Sequence, residues 1–292
     1  MTIEPGKTTV GFIGLGVMGK SMAGHILGAG YEVHVYTRTK KTAEDLVSKG
    51  AIWEDSVGAL SKKCQAIITI VGFPSDVEQV YLNQDGIINH AGKGTLVIDM
   101  TTSSPDLAVK IYDKAKLSGI EALDAPVSGG DLGARNATLS IMVGGDQTAF
   151  DKALPLFEAM GKNVVFQGKP GSGQHTKMAN QIAIAAGMVA VCESIAYAKK
   201  AGLDPETVLK SIGAGAAASW SLNNLGPRMI AGNMEPGFYI KHFIKDMKIA
   251  ADSSKGLGFQ TPGLDLALSL YEKLAGMGHE DKGTQALFRL FD

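Results

Sequence analysis

Three glycines near the N-terminus have the spacing of a phosphate-binding turn. The segment GFIGLGVMG contains G-x-G-x-x-G at Gly14, Gly16 and Gly19, between a β-branched run and a helical pattern. In this motif the first glycine allows a tight turn, the second lets the backbone approach a pyrophosphate, and the third lets the helix pack on the strand. Free N–H groups at the helix start would then face the phosphates. The predicted binding set is Gly14, Leu15, Gly16, Val17, Met18 and Gly19.

The residues after the second predicted strand indicate which dinucleotide binds. NAD sites usually place Asp or Glu here for the ribose 2′-hydroxyl, whereas this chain has Thr37, Arg38, Thr39 and Lys40, and no carboxylate before Glu44. A 2′-phosphate favours hydroxyl and cationic donors, and Arg can bind it with two parallel hydrogen bonds. We therefore expect NADP(H), with NAD(H) as the alternative if these are merely solvated loop charges.

Two further features could bind or transform a substrate. Ser128, Gly129 and Gly130 follow a short strand and offer a hydroxyl and unobstructed backbone N–H groups, which suit a carboxylate. Taken alone, Ser-Gly-Gly is more often a simple turn. Lys177 lies early in a long apolar helical pattern, where an ammonium is costly unless it faces a cleft. In such a cleft its pKa can fall towards working pH, which suits a general acid and base.

The elements that would position these residues alternate between strands and helices. The alternation predicts a doubly wound, mainly parallel sheet of Rossmann type. Ser75 and Glu78 have the spacing of a capping box, and Ser104-Pro105 that of an N-cap and first helical residue. The predicted strands are 10–13, 32–36, 66–71, 96–99, 122–124, 140–143 and 164–166, and the predicted helices are 18–27, 42–49, 76–82, 105–116 and 148–160.

The pattern changes at the Gly/Pro cluster GKPGSG of residues 168–173. β-rich runs are absent from the sequence beyond it, so we predict an all-helical domain. The boundary expected is a dinucleotide-binding domain over 1–168 and a helical domain for substrate and self-association over 169–292. The helix of 174–201 is apolar nearly all round and is expected to be buried. Further helices are predicted at 205–212, 238–256 and 262–277.

Composition excludes several classes of protein. The 292 residues carry 28 Lys and Arg against 29 Asp and Glu, without the excess of basic residues typical of a nucleic-acid surface. Two cysteines and six histidines without an H-x-x-x-H pair argue against a disulfide framework or zinc site. No uninterrupted apolar run approaches membrane-spanning length, and the N-terminus lacks a secretory apolar region. The expectation is a cytoplasmic protein with no metal, membrane or nucleic-acid partner.

Four segments together resemble the β-hydroxyacid dehydrogenase family, the group of 3-hydroxyisobutyrate dehydrogenase, tartronate semialdehyde reductase and glyoxylate/succinic semialdehyde reductase. They are GFIGLGVMG (11–19), DAPVSGG (124–130), GSGQHTKMANQ (171–181) and FIKDMKIA (243–250). Their order and spacing match over nearly the whole chain. The resemblance implies hydride transfer between the dinucleotide and a small 3-hydroxy acid or semialdehyde acid, in a homodimer or homotetramer.

The same resemblance assigns roles to residues. It implies that Lys177 is the proton donor and acceptor and that Ser128, Gly129 and Gly130 bind the substrate carboxylate. The family commonly has Asn four residues after this lysine, whereas this chain has Gln181 there and Asn180 at the third position. We expect Asn180 to be catalytic and Gln181 to bind substrate, although which amide makes the contact stays open. Contacts to the cofactor are implied for Phe73, Pro74, Thr102, Lys245 and Asp246.

Three other functions remain to be weighed. Imine reductases share the two-domain plan but typically lack the lysine. A 6-phosphogluconate dehydrogenase has a much longer helical domain. A redox-sensing protein that binds the dinucleotide without turnover would not need Lys177 or Ser128 with its two glycines.

Overall fold

The computed structural model describes residues 2–292, which form two compact units. The first ends at Lys177 and the second begins at Met178. The division lies inside a helix, whereas the sequence placed the domain boundary at Gly168.

The first unit is built on one nine-stranded sheet. Its order is β3-β2-β1-β4-β5-β6-β8-β7, with β9 paired to β8. All pairs are parallel except β6 with β8 and β7 with β8. The strand order reverses between β1 and β4, where doubly wound sheets bind ligands. The strands are β1 (Thr9–Ile13), β2 (Glu32–Tyr36), β3 (Ile52–Trp53), β4 (Ala66–Thr69), β5 (Leu96–Asp99), β6 (Glu121–Asp124), β7 (Val127–Ser128), β8 (Leu139–Gly145) and β9 (Gly161–Gly168).

Helices connect these strands and cover the sheet. Both faces are buried: Phe12 and Ile68 pack in one apolar cluster, while Ile13 and Ile67 pack in another. This burial explains why the strands are nearly continuous apolar runs. A 3₁₀ turn at Lys40–Ala43 precedes α2. The helices are α1 (Gly19–Gly28), α2 (Glu44–Val47), α3 (Val57–Ser61), α4 (Pro74–Leu82), α5 (Ile87–His90), α6 (Pro105–Leu117), α7 (Gly130–Arg135) and α8 (Gln147–Met160).

The second unit is helical. Its core includes Cys192, Phe243 and Tyr271, and the Tyr271 hydroxyl donates to the carbonyl oxygen of Thr284 at 2.7 Å. In the described part of this unit the only β-type pairing is an isolated bridge between Tyr239 and Gly283. The helices are α9 (Ser172–Lys200, which begins in the first unit), α10 (Pro205–Ile212), α11 (Trp220–Ile230), α12 (Ile240–Gly256) and α13 (Pro262–Leu274), followed by a π turn at Ala275–His279 and a 3₁₀ helix at Thr284–Leu290.

Helix α9 is apolar, but it is not buried on every side. Residues such as Met188, Cys192 and Ile195 pack into the core, while a stripe that includes Ala183 and Ala190 is exposed. By length and composition alone α9 could cross a membrane, and 44% of its most apolar window is buried. A long core helix of a soluble protein satisfies the same criteria, so the expectation of no membrane partner stays a prediction.

The predicted fold class is confirmed, and several local predictions are corrected. The helix expected at 42–49 is a 3₁₀ turn followed by the short α2, and the strand expected at 66–71 ends at Thr69. Sequence analysis did not predict α11, the short helices α3, α5 and α7, or the short strands β3 and β7. Elements of two residues have no period to detect, and α11 was hidden because Pro227 lies inside it.

Candidate active site

The glycine motif forms the turn from β1 to α1, and two of its glycines have no room for a side chain. Gly14 has φ +98°, and a Cβ there would collide with the carbonyl oxygen of Ile70. A Cβ on Gly19 would collide with the carbonyl oxygen of Gly14. The turn therefore requires glycine at both positions for its own packing.

Gly16 is different, because a Cβ there would meet no other atom within 4 Å. The backbone N–H groups of Leu15, Val17 and Met18 donate to no acceptor within residues 2–292. Helix α1 also has no acidic residue in its first turn. Open space beside a bare backbone, next to unpaired N–H groups at a helix start, fits the pyrophosphate of a dinucleotide.

The loop after β2 presents two cations beside this turn. Arg38 is 82% exposed, and its guanidinium lies 3.3 Å from the carboxylate of Asp76, which is 19% exposed. The Lys40 ammonium lies over the ring of Trp53, 5.2 Å from its centroid. Thr37 is half-buried, and Thr39 precedes the 3₁₀ turn. An exposed ion pair of this kind contributes little stability, so Arg38 can exchange its partner for an anionic ligand.

The segments expected at the nicotinamide side lie at the ends of β4 and β5. Phe73 is the N-cap residue of α4, Pro74 is its first residue, and the Phe73 N–H donates to Asp76 at 3.1 Å. The capping box predicted from Ser75 and Glu78 is therefore wrong. Glu78 instead pairs with Lys110 at 2.6 Å. The helix starts earlier than predicted because Pro74 occupies its first position, where a missing N–H costs nothing.

The candidate carboxylate site lies where β7 ends. Ser128 is the last residue of β7, and Gly129 and Gly130 follow with φ of +132° and +61°. Both values favour glycine, since side chains rarely adopt them. The N–H groups of the two glycines donate to no acceptor within residues 2–292. The turn can therefore offer them to a ligand, together with the Ser128 hydroxyl.

Asp124, at the end of β6, holds the start of α9. Its two carboxylate oxygens each accept a backbone N–H at 2.8 Å, one from Gly171 and one from Gln174. The N-terminus of a helix favours a negative charge, so this carboxylate acts as a buried cap. Burial nevertheless raises the pKa of Asp124 to about 6, because desolvation outweighs these hydrogen bonds.

Gln174 links α9 to the loop that carries Thr102. Its side chain is fully buried, donates to the carbonyl oxygen of Thr101 at 2.7 Å, and accepts the N–H of Ser103 at 2.9 Å. Thr102 lies between these two contacts. Lys177 lies one turn further along α9 and is only 6% exposed. The position of this lysine is thus set by Asp124 and Gln174, both held against the carboxyl ends of the strands.

A second polar cluster lies within the helical unit. Gln181 donates to the carboxylate of Asp246 at 2.6 Å and accepts from the side-chain amide of Asn180 at 2.7 Å. Lys245 lies 2.9 Å from the other oxygen of Asp246. Gln181 and Asp246 are each 2% exposed, and Asn180 is half-buried. The structure thus brings together four of the predicted site residues, and it places Gln181 among protein partners rather than at a surface.

Two family models cover nearly the whole chain. Residues 9–168 match the NAD binding domain of 6-phosphogluconate dehydrogenase, and residues 171–291 match the model described as NAD-binding of NADP-dependent 3-hydroxyisobutyrate dehydrogenase.

The chain belongs to the 3-hydroxyisobutyrate dehydrogenase family.

Known members of this family are similar over their full length. An uncharacterized oxidoreductase of Bacillus subtilis, YkwC, is 61% identical and covers 98% of this chain and 99% of its own. The 2-hydroxy-3-oxopropionate reductase of Escherichia coli is 37% identical, with 97% of each chain covered. The structure of Mycobacterium tuberculosis 3-hydroxyisobutyrate dehydrogenase with L-serine superposes with a TM-score of 0.89 at 29% identity, over 97% of this chain and 98% of that one. The protein is thus an NAD(P)-binding oxidoreductase of the 3-hydroxyisobutyrate dehydrogenase family.

Within this family member, sequence reasoning missed two residues that build the site. Asp124 and Gln174 lie inside segments already singled out, but neither was given a role. Their partners are 47 and 73 residues away, for the Asp124–Gly171 and Gln174–Thr101 contacts. A polar residue in an otherwise apolar strand end was the only local signal. Over residues 2–292, no group of three or more His, Cys, Asp or Glu side chains could hold a metal ion.

Proposed function

We propose that this protein transfers hydride between NADP(H) and a small 3-hydroxy acid or semialdehyde acid, with Lys177 as general acid and base. The observation that carries the proposal is the burial of Lys177 near the start of α9. It is a buried lysine on a helix whose first turn is held by Asp124 and Gln174. Burying an amine costs free energy, and a pre-positioned amine is what proton transfer requires.

The proton and the hydride travel separately. When bound, the nicotinamide cofactor supplies or accepts the hydride. In reduction, the Lys177 ammonium gives its proton to the carbonyl oxygen of the substrate, so that an alcohol forms. In oxidation, the neutral amine removes the hydroxyl proton. Lysine can perform both steps because its pKa responds to its surroundings.

The substrate carboxylate is assigned to the turn after β7. The Ser128 hydroxyl and the N–H groups of Gly129 and Gly130 would donate to its oxygens. A fixed carboxylate fixes the reacting carbon, since the substrate is only a few atoms long. We assign Asn180 to the substrate and give Gln181 a supporting role, because Gln181 already binds Asp246 and Asn180.

The preference for NADP(H) rests on the loop after β2. Arg38 and Lys40 are exposed and lie beside hydroxyl-bearing Thr37 and Thr39, with no carboxylate in the loop itself. We further propose that Phe73, Pro74, Thr102 and the ion pair of Lys245 with Asp246 serve the nicotinamide half of the cofactor. The proposal also includes a cytoplasmic location and a homodimer or homotetramer.

Turnover with two cofactors and a small panel of acids tests this function. NADPH oxidation is followed spectrophotometrically with 2-hydroxy-3-oxopropionate, succinic semialdehyde and glyoxylate. Lys177→Met keeps the volume of the side chain and should lower kcat by at least about 10²-fold, with loss of one limb of the pH–rate profile. Lys177→Arg should not restore activity, because Arg stays protonated. The matched control is Lys200→Met, at an exposed lysine of the same helix.

Other outcomes would point elsewhere. A Lys177→Arg enzyme with kcat within threefold of wild type would remove Lys177 from the mechanism. Tight NADPH binding without any turnover would favour a dinucleotide sensor. Turnover of cyclic imines but of no carbonyl acid would favour an imine reductase.

A further inference from the structure

The hydrogen bonds around Gln181 determine which atom of Asn180 is left for a ligand. An ionised carboxylate can only accept hydrogen bonds. Asp246, beside the ammonium of Lys245, must therefore face the NH₂ end of the Gln181 amide, as it does at 2.6 Å. The negative charge of Asp246 therefore fixes which end of the Gln181 amide faces it, and the Gln181 oxygen points to Asn180.

This fixed polarity passes on to Asn180. The Gln181 oxygen accepts, so Asn180 must turn its own NH₂ towards it, as it does at 2.7 Å. The Oδ1 oxygen of Asn180 then lies at the opposite end of its planar amide. Within residues 2–292 no donor is bonded to that oxygen, and the side chain is half-buried. Asn180 therefore presents a hydrogen-bond acceptor, and the network prevents its reversal.

The acceptor of Asn180 lies one helical turn from Lys177. Residues three apart on a helix are neighbours, so Asn180 and Lys177 share one side of α9. Under the proposed function, Lys177 serves the oxygen on C3. An acceptor one turn away is within reach of the substituent on C2, the next carbon. We infer that Asn180, oriented by Gln181 and Asp246, selects substrates that carry a hydrogen-bond donor on C2.

The inference rests on the proposed function and narrows its substrate class. It favours 2-hydroxy and 2-amino acids, such as glycerate and serine, over acids with hydrogen or methyl on C2. With a methyl group, the acceptor of Asn180 would lose its water without gaining a partner. A buried polar group left unpaired in this way discriminates strongly between otherwise similar substrates.

Four acids that differ only at C2 test the inference. Their kcat/KM values are measured for oxidation: glycerate (hydroxyl), L-serine (ammonium), 3-hydroxypropanoate (hydrogen) and 3-hydroxyisobutyrate (methyl). Wild type should prefer glycerate or serine over 3-hydroxypropanoate by about tenfold or more. The ratio is the readout, because it cancels any general loss of rate in a variant.

Variants of two residues then assign the cause. Asn180→Leu removes the acceptor and should abolish the preference. Gln181→Leu leaves Asn180 free to reverse and should reduce the preference in part. A merely structural role would change all four kcat/KM values equally and leave the ratio unmoved.

Each alternative result has a distinct meaning. A wild type that prefers 3-hydroxypropanoate or 3-hydroxyisobutyrate would overturn the inference while supporting the proposed function. A preference that survives in Asn180→Leu, or one that Gln181→Leu leaves unchanged, would also overturn it. No turnover of any of the four acids, or of the carbonyl acids above, would remove the proposed function and the inference with it.

Discussion

The effect of Asp124→Asn on the stability of the first unit should be less favourable at pH 5 than at pH 8. The carboxylate of Asp124 accepts one N–H on each oxygen, from Gly171 and Gln174. An amide has a single oxygen, so one of these buried N–H groups would face an NH₂ donor. Compared with the protonated acid, whose hydroxyl oxygen can still accept a hydrogen bond, leaving a buried donor unsatisfied in this way costs about 1–3 kcal/mol.

The ionisation of Asp124 makes a second contribution to stability, which depends on pH. It lowers the stability of wild type as the pH rises, and the Asn variant lacks it. Burial raises the pKa of Asp124 from 3.8 to about 6 in the folded chain. At about 1.36 kcal/mol per pKa unit, the ionised form is disfavoured in the fold by about 3 kcal/mol. Because the folded pKa is raised, this group's favourable contribution is complete below pH 3.8 and is lost as the pH rises through about 6. Asn carries no such loss.

The two effects together set the expected magnitude. For wild type, the Asp124 contribution falls by about 1–2 kcal/mol between pH 5 and pH 8. Asp124→Asn should therefore cost that much more stability at pH 5 than at pH 8. For a unit of this size, the difference corresponds to about 3–5 °C in Tm.

Tryptophan fluorescence can follow the first unit alone. The chain has two tryptophans, Trp53 in the first unit and Trp220 in the second, so a Trp220→Phe background isolates the relevant signal. Asp99→Asn is the matched control. The pKa of Asp99 is also raised to about 6, by burial, but the Thr69 hydroxyl and the Thr101 N–H both donate to its Oδ1. It should show the same pH trend without the cost of a lost acceptor. Equal destabilisation by Asp124→Asn at both pH values, or a larger loss at pH 8, would refute the reasoning.

Three further predictions concern binding. Arg38→Ala should raise KM for NADPH by about 10- to 150-fold and leave KM for NADH nearly unchanged in steady-state kinetics; equal losses would contradict the NADP(H) assignment. Gly16→Ala should keep the wild-type Tm, since its Cβ meets no protein atom, yet weaken dinucleotide binding by at least about tenfold in calorimetry; normal affinity would show that no phosphate approaches here. Gly129→Ala should lower stability by about 1–3 kcal/mol as well as activity, because φ is +132° and a Cβ lies 3.2 Å from Leu139; an unchanged denaturation midpoint would argue against this strain.

The correspondence between sequence and structure is closest where the signal is local. The glycine spacing of Gly14, Gly16 and Gly19 predicted the β1–α1 turn, and the structure shows that packing requires glycine at Gly14 and Gly19, whereas Gly16 faces open space. The long strands and α9 were found because their apolar periods extend over enough residues to be recognised. The prediction of the N-cap of α4 was wrong. Ser75 with Glu78 and Phe73 with Asp76 have the same three-residue spacing, and the N-cap residue is Phe73.

Residue type and spacing in the sequence determined the family, the order of strands and helices, and the list of candidate residues. Those properties depend on contacts between neighbours along the chain. The tertiary structure decided which candidates have partners: Asp124 with Gly171, Gln174 with Thr101, and Gln181 with Asp246, at separations of 47, 73 and 65 residues. No periodicity encodes such contacts, because each depends on where two distant backbones bring their side chains. Hydrogen-bond polarity determines orientations that composition does not reveal. The buried carboxylate of Asp246 can only accept hydrogen bonds, so it orients Gln181, and Gln181 in turn orients the oxygen that Asn180 presents.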